Sequence, residues 1–444
     1  MKRIFISTGE VSGDLQGALL IEALKRQAAT VGLELEIVAL GGDKMAQAGA
    51  KLLVDTTGIS SIGLLESLPF VLPTLAIQRR AKQYLRHNPP DVVVLIDYMG
   101  PNLNLGSFIR RQLPQIPIVY YIAPQSWVWS AAYLGTQDTA TIVRITDQLL
   151  AIFQEEARFF AKKGVSVSWV GHPLVDKMQS NPTREEARTV LGIKPDQIAI
   201  ALLPASRRQE LKYMMPIIFE AAQRLQLELE GRRGDAGTPG CGDKEDKGDK
   251  GDKGDKGDKE DKEAIPKQQT TNNNKQQTTN NQQPTTIFWI PLSLEAYRHP
   301  IEAAIERYGL KAKVIAGQNQ EILAAADLAI AKSGTVNLEL ALLDIPQVVF
   351  YRVSFFTYLI GRILKVTIPF MSPPNLVVMR SIVPEFLQEK ATPENIVKEA
   401  LELLFDQNRR QQTLADYQEM RQLLGEVGVC DRAAREILAI ASDE

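Results

Sequence analysis

The chain has 444 residues, enough for two or three domains at about 150 residues each, and 44% of them are hydrophobic, enough to build real cores. Lys and Arg number 51 against 53 Asp and Glu, a formal net charge of -2, so there is no global basic field of the kind nucleic acid demands. Cys241 and Cys430 are too few for a disulfide framework, and three histidines argue against a His-built metal site; neither metal nor cofactor is expected.

Lys2-Arg3 precedes only three apolar residues, Ile4, Phe5 and Ile6, so the N-terminus does not read as a signal peptide. No uninterrupted apolar run reaches the ~20 residues that span a bilayer. A cytoplasmic protein is expected, with membrane-surface contact left open. Residues 4–7 read as a buried strand, which breaks into the turn Thr8-Gly9-Glu10-Val11-Ser12-Gly13-Asp14 and enters a helix near Leu15. Gly9, Gly13 and Gly17 let backbone approach a ligand, and free helix N–H groups favour an anionic or hydroxyl-rich partner. The glycines are four apart, so this is not the G-x-G-x-x-G fingerprint, and a plain strand-to-helix turn is an equal reading.

A second strand over 35–40 and a short helix over 43–48 follow. Residues 64–77 are largely apolar and lead into Arg79, Arg80 and Lys82. They read either as a core helix broken near Pro73 or as an apolar lip that dips into a membrane interface. Residues 91–96, continuously apolar after Asp91, predict a central parallel strand. It delivers Asp97 at its C-terminal end, where open α/β sheets place ligand crevices. Asp97 either caps the next helix or serves as a general base, and 97–102 reads as a loop. A strand over 118–122 runs into a loop carrying Trp127 and Trp129, a wall for sugars or acyl chains or simply a packed face. Strands over 148–153 and 165–170 close the first half. Gly171-His172-Pro173 then suits an interdomain hinge, with His172 more often satisfied by backbone than catalytic.

The second half repeats this grammar. A strand over 198–203 leads through Pro204-Ala205-Ser206-Arg207 into a helix, where the Arg207 guanidinium either neutralises a diphosphate or sits in solvent. Residues 231–286 are low-complexity Gly-Asp-Lys triplets and Gln/Thr/Asn tracts that cannot bury a core, and predict a disordered insertion. Strands over 287–291, 313–316 and 327–331 follow. The last runs into Ser333-Gly334-Thr335 and a helix in which Glu339 lies about one turn along, within reach of a ribose; capping without a ligand is the other reading. After a strand over 346–351, the aromatic and basic stretch 352–370 suits a membrane surface or a core helix equally. Residues 373–377 and 383–388 read as polar-bearing loops, and helical sequence runs from there to the end.

Two α/β halves, a hinge near His172 and helix N-termini facing a cleft describe a GT-B glycosyltransferase. The motifs narrow this further. Gly9-Glu10-Val11-Ser12-Gly13-Asp14, Asp97-Tyr98 with Asn102, Ala123-Pro124-Gln125 with Trp127 and Trp129, and Gly171-His172-Pro173-Leu174 resemble the lipid-A-disaccharide synthase family. So do Pro204-Ala205-Ser206-Arg207 with Glu210, Ser333-Gly334-Thr335 with Glu339, and Pro374-Asn375-Leu376 with Pro384-Glu385 and Gln388, all in the family's order. The resemblance implies an α/β fold of GT-B type, two Rossmann-like domains facing across a cleft. Residues 1–175 would take the acceptor and face the membrane, 176–410 would bind the UDP-sugar, and the helices of 411–444 would pack back on the first half.

It also implies an inverting transferase on the cytoplasmic face of the inner membrane, joining UDP-2,3-diacylglucosamine to 2,3-diacylglucosamine 1-phosphate without metal. Asp97 would be the base. Arg207, Ser333, Gly334, Thr335, Glu339, Asn375, Glu385 and Gln388 would hold the donor. Ser12, Gly13, Asp14, Glu66 and Asn102 would line the acceptor side. Three positions depart from the family's pattern: Gln16 where histidine is usual, Ala205 for a common glycine, and Ser130 for an arginine. A UDP-N-acetylglucosamine 2-epimerase is the competing enzyme class, a non-enzymatic lipid- or nucleotide-binding protein a third, and a homodimer is left open.

Overall fold

The computed structural model describes residues 1–57, 71–124, 135–204, 208–235, 285–353 and 370–442. Glu66, Arg207, Ala205, Ser130, the loop carrying Trp127 and Trp129, nearly all of the insertion and most of the 352–370 stretch lie outside them.

Two all-parallel sheets form the frame. The first joins β1 (Lys2–Ser7), β2 (Leu35–Gly41), β3 (Lys51–Asp55), β4 (Val92–Ile96), β5 (Ile118–Tyr121), β6 (Gln148–Ala151) and β7 (Ser166–Trp169) in the order β3-β2-β1-β4-β5-β6-β7. The second joins β8 (Ile198–Leu203), β9 (Thr286–Leu292), β10 (Ala312–Ala316), β11 (Leu328–Lys332), β12 (Gln347–Tyr351) and β13 (Glu385–Leu387) in the order β10-β9-β8-β11-β12-β13. Every residue of β4 is fully buried, as a continuous Val-Val-Val-Leu-Ile run between helical layers requires.

The strand order reverses between β1 and β4, registered Ser7 to Leu95, and again between β8 and β11, registered Leu203 to Ala331. A parallel sheet opens a crevice where its order reverses, because the helices on either side leave in opposite directions. Asp97 follows β4 and Ser333 follows β11, so both stand at these openings.

Several local expectations differ from the structure. The first helix, α1, spans Glu10–Thr30, so Ser12, Gly13 and Asp14 lie within its opening turns rather than before it. Residues 99–112 are helical from Met99 (Met99–Gln112), which places Asn102 on a helix, not a loop. Pro101 is tolerated there because first-turn N–H groups have no intrahelical partner anyway. For the same reason Pro373 and Pro374 open a helix (Pro373–Val378) where the sequence read as a loop. Strands β3 and β13 were not apparent in the sequence. Lys51 and Asp55 at the two ends of β3 blur its apolar run, and β13 is only three residues long. The helix after β8 continues through Asp235, past the expected start of the insertion at 231.

The last helix, Val429–Ser442, returns to the first sheet, while Gln407–Leu424 before it packs against the helices Pro373–Val378 and Pro393–Phe405. Ala433, Ala434 and Ile437 share a core with Ile4, Leu20 and Ile96. Asp176, on the short helix Leu174–Lys177, pins the start of that final helix: Gly428 N and Val429 N donate to Oδ1 at 2.6 and 3.1 Å, and Cys430 N to Oδ2 at 2.8 Å. A carboxylate at a helix N-terminus satisfies orphan N–H groups and complements the helix dipole. The crossing at Gly171-His172 is strapped to the same place, with His172 N donating to Leu424 O at 2.8 Å. Among the described residues, no helix is long and apolar enough to cross a membrane.

Candidate active site

Asp97 and the next residue, Tyr98, both adopt left-handed backbone, φ 45° and 50°, and Ile122 at the end of β5 does the same at 61°. Such conformations cost about 1–3 kcal/mol each and persist only where surroundings over-determine them. Here the surroundings do. Asn102 is fully buried, and its Nδ2 donates to Ser7 O, Ile96 O and Asp97 O at 3.2, 3.1 and 2.8 Å, while its Oδ1 accepts from Ser7 Oγ at 2.7 Å. The Tyr120 hydroxyl adds a bond to Asp97 O at 3.0 Å, and Asp97 N donates to Ile122 O at 2.9 Å. Burial, with the Asp97 charge second, holds the Tyr120 phenol well above its ordinary pKa, so it remains a donor.

Gly9 belongs to this construction. A Cβ there would stand 2.4 Å from the Tyr98 ring, so the glycine serves close packing against the turn that aims Asp97. Gly13 likewise faces the Thr8 side chain, with its virtual Cβ 2.0 Å from Oγ1.

Asp97 opens onto a cleft of about 110 Å³ shared by the two halves. Ser12, Gly13, Gln16 and His172 line it from the first half; Thr335, Leu338 and Pro373 line it from the second. Asn102 and Asp14, expected on the acceptor side, lie beneath it instead. Asp14 is buried and accepts from Gly42 N, Lys44 N and Met45 N at 2.8, 3.1 and 3.1 Å, tying α1 to the helix Asp43–Gln47.

The donor-side residues form a second connected scaffold. Ser333 Oγ donates to Met371 O at 2.6 Å, and Gly334 N donates to Asn337 Oδ1 at 2.7 Å. Asn375 is fully buried; its Oδ1 accepts from Ile382 N and Val383 N at 2.7 and 2.9 Å, and its Nδ2 donates to Glu385 Oε2 at 3.1 Å. Glu385 also accepts from Ser372 N at 2.9 Å. These groups shape the loop before and after Pro373, whereas Thr335 faces the cleft. Gln388, with φ 51°, follows β13 at the edge of this scaffold. Glu339 is taken by an ion pair with Lys177 of the short helix Leu174–Lys177, 2.7 Å, both side chains largely buried.

Three groups had escaped sequence reasoning. Lys332, the last residue of β11, is held 2.9 Å from Glu210, and both are nearly buried. Its Nζ lies 3.6 Å from where a Gly334 Cβ would stand, so a cation sits beside the Ser-Gly-Thr turn. A lysine directly before that turn was the available signal.

Gln16 lines the cleft with its Oε1 buried and without a hydrogen-bond partner. Its only mark in the sequence was that it stands where histidine is usual.

Glu156, in the first turn of the helix Gln154–Ala161, accepts from Ile152 N at 2.9 Å, and burial pushes its carboxyl up to about 8. Its spacing three residues after the helix N-cap was a signal of capping. The backbone N–H groups oppose the shift, and the Asp97 charge adds to it. An upward shift of this kind reduces the negative charge that Glu156 adds beside Asp97 at neutral pH. The folded chain therefore retains a proton that the unfolded chain releases near 4.5, so this group's contribution falls as pH rises from about 4.5 to 8. Glu156→Gln, which keeps an acceptor for Ile152 N, is expected to flatten the decline in Tm between those pH values. Thermal unfolding of both proteins at several pH values reads this directly, and parallel curves would refute the protonated form.

Among the described residues, no three His, Cys, Asp or Glu side chains gather to hold a metal ion. Two parallel-sheet domains with a carboxylate at one switch point, facing a hydroxyl-bearing turn at the other, define a two-domain glycosyltransferase fold of GT-B type. Solved structures agree on the fold. The Staphylococcus aureus MnaA co-structure with UDP aligns at TM-score 0.62 and 15% identity over 100% of this chain and 99% of that one. The Neisseria meningitidis UDP-GlcNAc 2-epimerase aligns at 0.60 and 12% over 99% and 100%.

The particular family follows from sequence. A profile of the family described as lipid-A-disaccharide synthetase matches residues 4–233 and 263–440, and the chain belongs to that family. Relatives named lipid-A-disaccharide synthase share 56% identity in Gloeothece citriformis, covering 98% of this chain and 99% of the relative. In Synechocystis the figures are 46%, 100% and 98%.

Proposed function

We propose that this chain, a transferase of lipid A assembly, condenses UDP-2,3-diacylglucosamine with 2,3-diacylglucosamine 1-phosphate by direct displacement, with Asp97 as the base. The acceptor 6-hydroxyl oxygen bonds to the donor anomeric carbon as the bond from that carbon to the diphosphate oxygen breaks. The hydroxyl proton passes to the Asp97 carboxylate, and UDP leaves with the electron pair. One attack on the opposite face inverts the anomeric centre and gives the β-1,6 link. The observation that carries this reading is one shared cleft with Asp97 on one wall and Thr335 on the other.

Lys332 and Arg207 would offset the charge that develops on the diphosphate, with the Thr335 hydroxyl as a further donor. Ser333, Gly334, Asn375 and Glu385 would act by shaping the surrounding loop. Turnover of the two acylated sugars tests the reaction, with UDP release and disaccharide mass followed together. Disaccharide supports the reading; UDP-N-acetylglucosamine consumed in its place would replace it with an epimerase.

The helix Val71–His87 offers a means of reaching membrane-bound substrates at the inner-membrane surface. Its first turns expose Val71, Leu72 and Leu75, at 46%, 77% and 49%, just ahead of Arg79 and Arg80. Apolar residues beside cations suit the boundary of an anionic bilayer. Leu72→Glu is expected to reduce co-sedimentation with anionic vesicles severalfold while leaving turnover of detergent-dispersed substrate intact. Unchanged sedimentation would remove this helix from membrane contact.

A further inference from the structure

The catalytic reading uses Asp97 and Thr335 but leaves three polar side chains of the same cleft unassigned, Ser12, Gln16 and His172, of which the last two are buried. Gln16 lies two turns into α1 and is 6% exposed, with Oε1 buried and unpartnered. An unbonded buried amide oxygen costs about 1–3 kcal/mol, and one that faces a cleft is open to a donor supplied by a ligand or an ordered water. His172 is 5% exposed. Its Nδ1 accepts from Leu174 N at 3.2 Å, which fixes the neutral ring with its proton on Nε2. Burial pulls the imidazole down to about 3, so it stays neutral throughout the physiological range. The ring packs 5.5 Å from Phe153, and the cleft's apolar lining is supplied by Ile122, Ile152, Phe153 and Leu338.

Beside Asp97, Ser12 and Thr335, the cleft thus holds a buried unpartnered acceptor and a buried neutral donor, with Ile122, Ile152, Phe153 and Leu338 also in its lining. A charged ligand group would find no counter-charge in this pair. A secondary amide carrying an alkyl chain meets all three conditions, since its N–H donates, its C=O accepts and its methylenes are apolar. We infer that Gln16 and His172 form a recognition subsite for the N-acyl amide of the acceptor sugar, the amide N–H donating to Gln16 Oε1 and the His172 Nε2–H donating to the amide oxygen. The acceptor is chosen over the donor because both residues stand on the Asp97 side of the cleft. This inference rests on the proposed reaction and adds to it the group by which the acceptor is selected.

The test is a cycle between residue and substrate. Acceptors carrying a 2-N-acyl amide or the matching 2-O-acyl ester are compared as substrates of wild type and Gln16→Leu. A site built around a hydrogen bond rejects the analogue lacking it, so wild type is expected to favour the amide by about 10- to 100-fold in kcat/KM. In Gln16→Leu that preference should fall to within about threefold, because the ester loses only the N–H that Gln16 would receive. His172→Phe should lower kcat/KM for both acceptors, and His172→Gln, which returns a side-chain N–H, should restore part of it.

Equal use of amide and ester by wild type, or a preference that survives in Gln16→Leu, would overturn the subsite. A preference seen only when the donor's amide is replaced would overturn its assignment to the acceptor. Absence of any disaccharide from wild type with both amide substrates would remove the reaction itself, and the subsite with it.

Discussion

Asp97→Asn is expected to lower kcat by about 100- to 10,000-fold while leaving UDP-sugar binding unchanged within about twofold, the range spanned by loss of a positioned general base. Asparagine keeps the size of the side chain but cannot take a proton from the acceptor hydroxyl. The backbone argument makes this variant informative. Residue 97 sits at φ 45°, a conformation that asparagine tolerates as well as aspartate, and its N–H and C=O bonds to Ile122, Asn102 and Tyr120 involve no side-chain atom of residue 97. The backbone bonds that set the turn are therefore open to the variant as well. Donor binding measured by calorimetry, beside turnover by UDP release, separates loss of chemistry from loss of structure. Residual turnover within tenfold of wild type would place the base elsewhere.

Asn102→Ala should be nearly as damaging by a different route. The side chain connects the ends of β1 and β4 and holds the Asp97 carbonyl, all in a fully buried setting. Removing it leaves the Ser7 hydroxyl and the carbonyls of Ser7 and Ile96 short of a partner, at about 1–3 kcal/mol for each fully unsatisfied group. Relaxation and the second lone pair of each carbonyl reduce the sum, so a loss of about 3 kcal/mol is expected. In a domain of this size that is a drop in Tm of about 6–12 °C. The left-handed turn that aims Asp97 also loses its strongest restraint, so kcat should fall tenfold or more with little change in donor KM. Asn102→Asp distinguishes positioning from bulk: it retains an acceptor for Ser7 Oγ but sets a carboxylate against three carbonyl oxygens, and should do no better than alanine. A stable, active Asn102→Ala protein would refute the clamp.

What could be read from the chain depended on whether the relevant interaction was local. The central strands were legible because burial on both faces demands an unbroken apolar run, and residues 91–96 and 198–203 supply one. The placement of Asp97 and Ser333 at strand ends followed from the same pattern. Strand β3 was hidden because Lys51 and Asp55 mark an edge, and the helices at Met99 and Pro373 were hidden because proline in a first turn looks like a breaker.

The division of labour among site residues was not legible. Asp14, Asn102, Asn375 and Glu385 carry the residue types of ligand-binding groups, yet each is spent on backbone N–H or C=O groups from other elements. Nothing in linear spacing distinguishes a carboxylate aimed at a ligand from one aimed at a helix N-terminus 28 residues away, as Asp14 is at Gly42.

By itself, then, the sequence determined the two α/β halves, the positions of most strands along the chain, the family, and which residues end the central strands, since these follow from periodicity and local motif chemistry. Only the tertiary structure decided which of those polar groups face the cleft. It showed that Glu339 pairs with Lys177 of a distant helix, that burial pushes the Glu156 carboxyl upward with the Asp97 charge adding to it, and that Gln16 reaches the cleft with its acceptor unmet. Burial and hydrogen-bond satisfaction arise from contacts between segments far apart in the chain, so they take definite values only once the two sheets and the returning C-terminal helix are packed together.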